Sequence, residues 1–380
     1  MPVRDSELLD PVSLPAWLAQ QAVLRPHAVA LRHKRLGIWH ALTWQQLARS
    51  VNRQAAALAR HGVDAGATVV LLSLPRPEAL LLALAAQTLG AVAAPLDPLL
   101  PKEALQSLLV QLQPAFVFAE DQAQVDLVLE ALPEPALLAY ADERGLGQYR
   151  HPALISCTAL EAAAPREGSP RAGADEAAFA FYRLHGAAVE LQQFSHRQLL
   201  LQAHHLVSAE RLGAHDEALV ARGFATGSTA RYLLASWLVA GFALNFPENL
   251  ATRDHDRREL GPTLVLGTRE TYARVAAMAR ARLPRPGSLL RRLVDRALAA
   301  GSAGLPGYWL VRRPLREVLG FARLRSPLLV GAALDAETDA FFRALGIAVH
   351  PWDEVQEWSA HDATERLGAR PHTYLNLRPA

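Results

Sequence analysis

A chain of 380 residues can bury one large core or two modest ones, and 51% hydrophobic with 20% charged residues excludes a disordered chain. A formal net charge of +2 excludes a global polyanion-binding character, and the lone Cys157 excludes an intramolecular disulfide and Cys-rich zinc sites. The first residues lack an apolar h-region, and Gln87, Thr88, Gly90 and Pro95 interrupt the longest apolar stretch, Ala79 to Leu96. Neither a signal peptide nor a spanning helix is therefore expected, and a cytoplasmic location is.

In chain order, Leu14 to Ala59 reads as helix, short strands and helix. The second helix starts at Thr43, whose hydroxyl and Gln46 three residues later form a capping box. Val69 to Leu74 is an apolar run of strand length, followed by a helix from Glu78. Ala79 to Leu96 reads as a buried helix running into a strand, and Ala115 to Ala119 is a third strand. Cys157, at the end of Ala153-Leu154-Ile155-Ser156, reads as a buried strand thiol. The Gly-, Pro- and charge-rich passage Ala164 to Asp175 reads as a linker between two α/β subdomains, residues 1–165 and 166–380. Beyond it, strands are expected at Ala178 to Tyr182, around Ala218 to Ala221, at Thr263 to Leu266 and at Leu328 to Val330. Helices are expected from Ser195, Ala230 and Arg269, the last opening a basic helical region to about Arg316. Ser195 and Gln198 form a second capping box, a better account of Ser195-His196 than a catalytic pair. Strands alternating with helices argue for doubly wound, mostly parallel sheets.

Several stretches carry a family pattern. Pro26 to Ala59 fits P-x-x-x-A-L, then T-W-x-x-L and an Ala-rich helix. Leu89 to Pro98 fits G-A-V-x-x-P-L-x-P. Gly261 to Tyr272 fits R-P-T-x-x-x-G-V-P-R-x-Y, and Gly331-Ala332-Ala333-Leu334 to Gly346-Ile347 fits an adenine-binding G-A-A-L region. Together they resemble the large N-terminal domain of adenylate-forming (AMP-binding) enzymes, closest to the long-chain acyl-CoA synthetases. The resemblance implies two doubly wound α/β subdomains with mostly parallel sheets. In that family a ribose-binding S-T-G-D motif and a lysine-bearing closing domain follow. Here the sequence ends at Ala380 with no lysine after Lys102, so the C-terminal small domain is expected to be absent.

The family reaction starts with a carboxylate attacking the α-phosphate of ATP, and it needs hydroxyls, glycines, a lysine and Mg²⁺ around the phosphates. The family loop reads F-Y-T-S-G-T-T-G-x-P-K-G-V-x-x-S-H-R. This chain keeps Phe181-Tyr182 and Ser195-His196-Arg197, retains one glycine, Gly186, and places Glu190 inside the loop. Arg183 and His185 are partial substitutes for the missing cation. Remnant nucleotide positions are Tyr182, Gly186, Gly331, Ala332 and Glu357. Near the acyl tunnel of the family stand Arg222 and Phe224, with Thr226 to Thr229 read as a cap for the next helix. After Ile347, Trp352 is placed to stack on a base. His350, Asp353 and Glu354 read as solvated groups rather than metal ligands.

No catalytic residue, metal or cofactor is therefore expected. The expected function is that of an acyl-CoA synthetase-like pseudoenzyme: an acyl- or lipid-binding, regulatory or scaffolding partner of an active synthetase or lipid-handling complex. The alternative is a residual, ATP-dependent long-chain fatty acid–CoA ligase that binds ATP/AMP and Mg²⁺, with a partner chain supplying the closing domain. Thirteen arginines against Glu270, Asp295 and Glu317 lie between Arg269 and Arg325. Among them, Arg291, Arg292 and Arg296 on the amphipathic segment Leu289 to Leu298 suit an anionic membrane surface and hence a membrane-peripheral location. Aromatic–basic interleaving is absent, so nucleic acid is not expected.

Overall fold

The computed structural model describes residues 11–165, 168, 170–185, 188–299 and 307–352. Helix α1 (Leu14–Leu24) leads into the hairpin β1 (Val29–Arg35) and β2 (Ile38–Thr43). Then come α2 (Trp44–Arg60), β3 (Thr68–Leu72), α3 (Pro77–Thr88), β4 (Val92–Leu96), α4 (Lys102–Leu112), β5 (Phe116–Ala119), α5 (Gln122–Ala131), β6 (Leu138–Tyr140), β7 (Leu154–Ser156) and α6 (Cys157–Glu161). A second hairpin, β8 (Ala177–His185) and β9 (Ala188–Ser195), runs into α7 (His196–Glu210) and β10 (Glu217–Leu219). A π-helical turn, Thr229–Leu234, opens α8 (Ala235–Ala240), followed by β11 (Ala243–Phe246), α9 (Arg253–Leu260), β12 (Leu264–Gly267) and α10 (Arg269–Ala281). The basic region forms α11 (Leu289–Ala299), a π-helical turn Tyr308–Arg312 and α12 (Arg313–Val318). Then β13 (Ser326–Leu329), α13 (Ala336–Ala344) and β14 (His350–Pro351) complete the described elements.

Two sheets of seven strands result, in the orders β7-β6-β5-β3-β4-β8-β9 and β14-β13-β12-β10-β11-β1-β2. Each is parallel except at one edge, where β8–β9 and β1–β2 pair antiparallel. The expected pair of mostly parallel, doubly wound sheets is thus present. Sheet membership crosses the division expected at residue 165, because β1–β2 complete the second sheet and β8–β9 the first.

Strand alternation explains the layering. Val69 and Leu71 of β3 enter the core shared between the sheets, while Val70 and Leu72 face outward onto Leu105 and Leu109 of α4. The shared core holds α1, α2, α3, α7 and α8. Helix α3 is buried from Ala79 to Thr88, as a helix apolar on every side must be. Its exit to β4 needs Gly90, which has φ +80° and would bring a Cβ to 3.2 Å from Ala65. Helix α2 starts with the expected capping box and buries Leu47, Val51, Ala55 and Leu58. Trp44, at its start, stacks on Trp237 at 4.8 Å. On the outer face of the second sheet, Tyr272 and Val275 of α10 pack with Phe341 and Phe342 of α13.

Local differences from the sequence reading are instructive. Cys157 is buried but opens α6 instead of lying in a strand, because Ser156 caps that helix by accepting from Ala159 N. Burial pushes its thiol well above the ordinary range. The helix expected from Ala230 begins as the π-helical turn, and Ser228 at its cap makes no side-chain capping bond. The hydroxyls of Thr226 and Thr229 instead donate to Gly223 O, each at 3.2 Å.

Candidate functional site

The segment where the resemblance places a phosphate loop is built as a hairpin. Its register runs from Ala177↔Ser195 through Arg183↔Glu190 and Leu184↔Val189 to His185↔Ala188, leaving only residues 186 and 187 between the strands. Backbone donors that would point at phosphate in an open loop are here opposite a partner strand. The sequence from Arg183 to Phe194 holds no Ser, Thr or Lys. Arg183 and Glu190 face each other across the ladder at 4.0 Å, so the cation closest to the old loop is committed to a carboxylate. Gly186 lies outside the described residues. Tyr182, half-buried, packs among the outer apolar side chains of the first sheet, and burial raises its phenol pKa.

Just after the hairpin, the Ser195 capping box is present: Ser195 Oγ accepts from Gln198 N at 3.3 Å and Gln198 Oε1 accepts from Ser195 N at 2.9 Å. His196 is buried, and its Nδ1 accepts from Leu14 N at 3.2 Å. Burial drives its pKa down from 6.5 to about 4, so the ring is neutral and structural.

Open space lies at the carboxyl ends of the second sheet's strands, where α/β folds receive ligands. Two clefts share Ala221 and Arg222, immediately past β10. The smaller, about 190 Å³, is bounded by Ser73, Leu74, Asp97 and Pro98 on one side and Gly223 and Thr226 on the other. The larger, about 280 Å³, is enclosed by β10, β12, α9 and α10. Arg222 stands in the wall of both and donates to Ser228 Oγ at 3.2 Å. Phe224 lines neither; it is buried edge-on against Phe246 at 6.2 Å.

The larger cleft has an apolar wall, including Leu219, Val265 and Phe321, and a cationic one of Arg222, Arg253, Arg257 and Arg274. Arg257 is fixed: it donates to Asp254 at 2.6 Å and to Leu319 O at 2.8 Å, and stacks over Phe321 at 5.0 Å. Arg274 binds the other oxygen of the same Asp254. Arg253 has no hydrogen-bond or ion-pair partner among the described residues, and its Nε is sealed from solvent. Burial, then repulsion from Arg274, lowers its pKa, with Asp254 opposing. Glu270 adds one exposed carboxylate to the rim. None of Arg253, Arg257 or Arg274 was singled out from the sequence. The available signal was the run Arg253-Asp254-His255-Asp256-Arg257-Arg258-Glu259, a helix too polar to bury unless its charges are matched.

Other expected positions separate. Gly331, at φ +80°, turns the chain just past β13, and the loop is tied to α10 by Arg269 Nε donating to Ala333 O at 2.5 Å. Gly331 and Ala332 line neither cleft. The Trp352 ring lies 5.3 Å from that of His205, and His350 Nε2 bonds Glu210 Oε1 at 2.9 Å. Asp353, Glu354 and Glu357 lie outside the described residues. His255, Asp256 and Glu259 cluster closely enough to suggest a metal. However, Lys34 Nζ already sits 2.8 Å from Asp256 and 2.5 Å from Glu259, supplying the positive charge.

Known proteins agree with this architecture. Residues 18–182 match the family model described as AMP-binding enzyme. Over 131 residues the chain is 32% identical to an indoleacetate–CoA ligase of Aromatoleum aromaticum, covering 34% of this chain and 25% of that ligase. Among solved structures, the A domain of a carboxylic acid reductase from Segniliparus rugosus, in complex with AMP and a co-purified carboxylic acid, superposes with TM-score 0.70 at 16% identity. That match covers 90% of this chain and 60% of the other. Apo MatB from Rhodopseudomonas palustris superposes with TM-score 0.67 at 19% identity, covering 90% and 59%. These structural likenesses show the fold, that of the N-terminal domain of acid-activating enzymes. The match over residues 18–182 and the likeness to the ligase support an adenylate-forming, acid–CoA ligase-like chain, and the fold is that of the N-terminal domain of such enzymes. It spans a quarter of the length of the ligase it matches.

Proposed function

We propose that this protein is an acyl-CoA synthetase-like pseudoenzyme, which keeps the acid-activating fold without adenylation or CoA ligation and serves as an acyl- or lipid-binding, regulatory or scaffolding partner. The observation that supports it is the β8–β9 hairpin, paired as far as His185↔Ala188 and stapled by Arg183 and Glu190. A Mg²⁺-nucleotide needs hydroxyls, open backbone donors and an uncommitted cation at this place, and the described residues do not fit it. Charge-assisted hydrogen bonds contribute about 1.5–3 kcal/mol each, so losing several removes most nucleotide affinity. Calorimetric titration with ATP and AMP, with and without Mg²⁺, is the test. No heat up to millimolar nucleotide is expected. Micromolar binding would overturn the reading in favour of a residual ligase completed by a partner chain.

A peripheral membrane contact is a second reading, supported by the outward face of α11. Leu289, Leu290 and Leu293 are exposed on it beside Arg292 and Arg296. The neighbouring π-helical turn exposes Trp309 and Leu310, with Arg313 stacked over the Trp309 ring at 4.5 Å. Exposed leucines, an interfacial tryptophan and a basic rim are the makings of a helix lying on anionic lipid. Sedimentation with phosphatidylserine vesicles should be salt-sensitive and lost in the double variant Arg292→Glu/Arg296→Glu. Equal sedimentation of the variant would remove this reading. No helix among the described residues is long and apolar enough to cross a membrane.

A further inference from the structure

We propose that the cleft between α9, α10, β10 and β12 is a binding site for a compact oxyanion, a phosphate monoester or a carboxylate, held by Arg253 with Arg274 and Arg257. The proposal goes beyond the question of adenylation and rests on neither outcome of the nucleotide titration.

Charge matching is the first argument. Two guanidiniums, Arg257 and Arg274, divide one carboxylate, Asp254, between its two oxygens. Arg253, at the start of the same helix, is left with none among the described residues, while Arg222 adds a fourth guanidinium to the wall. Arg253, Arg257 and Arg274 therefore face one shared carboxylate, Asp254, with Glu270 at the exposed rim, leaving the cleft cationic. Partial burial of a cation without a counter-charge is unfavourable, and an anion in the cleft relieves that cost.

Preorganisation is the second. Arg257 is locked by Asp254, Leu319 O and the Phe321 ring, and Arg274 by Asp254. Their forks are ordered before any ligand arrives, so less side-chain entropy is lost on binding. Arg253 combines a buried, unsatisfied Nε with a place in the cleft wall, so an acceptor entering the cleft would meet an uncommitted donor. A planar guanidinium pairs with carboxylate or phosphate through two parallel hydrogen bonds, which fits both members of the proposed class.

Size sets the third limit. At about 280 Å³ the cleft falls just under the range of about 300–1,000 Å³ that holds drug-sized ligands. It suits a small anion, or the anionic end of a molecule whose apolar part meets Leu219, Val265 and Phe321.

The test is thermal unfolding of the full chain at constant pH and ionic strength, with chloride replaced stepwise by inorganic phosphate, methyl phosphate or acetate. A ligand of the folded state raises Tm in a saturable way. Saturation with the phosphates alone identifies a phosphate site, and with acetate as well a general oxyanion site. Arg253→Gln should weaken the apparent affinity about tenfold or more, whereas Arg60→Gln, which removes an exposed arginine from the end of α2, should leave it unchanged. No saturable shift with any of the three anions overturns the proposal, as does an equal loss in both variants. Should Arg253→Gln fail to fold, arginine modification by phenylglyoxal in the wild-type chain, read by peptide mass spectrometry, tests the same site. Phosphate should protect Arg253 and not Arg60; equal protection of the two would refute the site.

Discussion

The β8–β9 hairpin and the cleft beside β10 are two polar regions of one fold that treat their polar groups in opposite ways. In the hairpin the strands pair to His185↔Ala188 and Arg183 faces Glu190. In the cleft, three arginines surround one shared carboxylate and Arg253 goes without. Both regions read as charged and polar in sequence. What distinguishes them is whether each group has a partner: the hairpin pair answers itself, whereas Arg253, in the wall of a cleft, is open to an acceptor from outside the chain.

That contrast is sharpened most strongly at the other end of α9. Lys34 is buried and bonded to Asp256, whose second oxygen accepts from Thr252 Oγ1 at 2.8 Å and Glu248 N at 3.1 Å. Lys34→Ala leaves that carboxylate buried without its cation and should cost about 3–5 kcal/mol in denaturant unfolding, whereas Lys34→Met combined with Asp256→Leu should recover most of it. A loss below about 1 kcal/mol in the single variant would show that buried charge in this fold need not be strictly matched.

His196 offers the next largest effect, through pH. Its folded pKa is lowered to about 4 from 6.5, so between those values the unfolded chain binds the proton and the folded chain does not. Stability from this group is full above about pH 6.5 and is lost as pH falls toward 4, in all about 3 kcal/mol. His196→Leu should flatten that part of the stability–pH curve, while costing about 1–3 kcal/mol at neutral pH because Leu14 N loses its acceptor. An unchanged acid slope in the variant would assign the titration elsewhere. Smallest is the hairpin staple itself. A double-mutant cycle on Arg183 and Glu190 should give a coupling of about 0.2–1 kcal/mol, and zero coupling would mean that strand pairing alone closes the hairpin.

Much of this architecture is legible in the sequence. The apolar runs at Val69, Ala91 and Ala115 correspond to β3, β4 and β5, and both capping boxes, at Thr43 and Ser195, start helices. These are local signals, fixed by period and by side chains three residues apart. The exchange of hairpins between sheets is not legible, because pairing of β1 with β11 joins residues that no local pattern links. Nor is the extent of β8 and β9, since Arg183, Leu184 and His185 resemble a decayed loop as easily as a strand. The arginine cleft assembles side chains from β10's end, α9 and α10, and only the folded geometry shows which guanidinium is left over. Phe224, an aromatic at a family substrate position in the sequence, packs against Phe246, a contact that no local pattern announces.

The helical layer between the sheets has a consequence for how the molecule comes apart. Leu80, Leu84, Trp44, Trp237 and Leu206 all belong to one apolar cluster that touches both sheets. Because β1–β2 and β8–β9 are also exchanged across the chain's midpoint, cutting at the linker would strip each sheet of an edge and of half its covering. The two sheets thus share one core, and heat is expected to melt them in one transition.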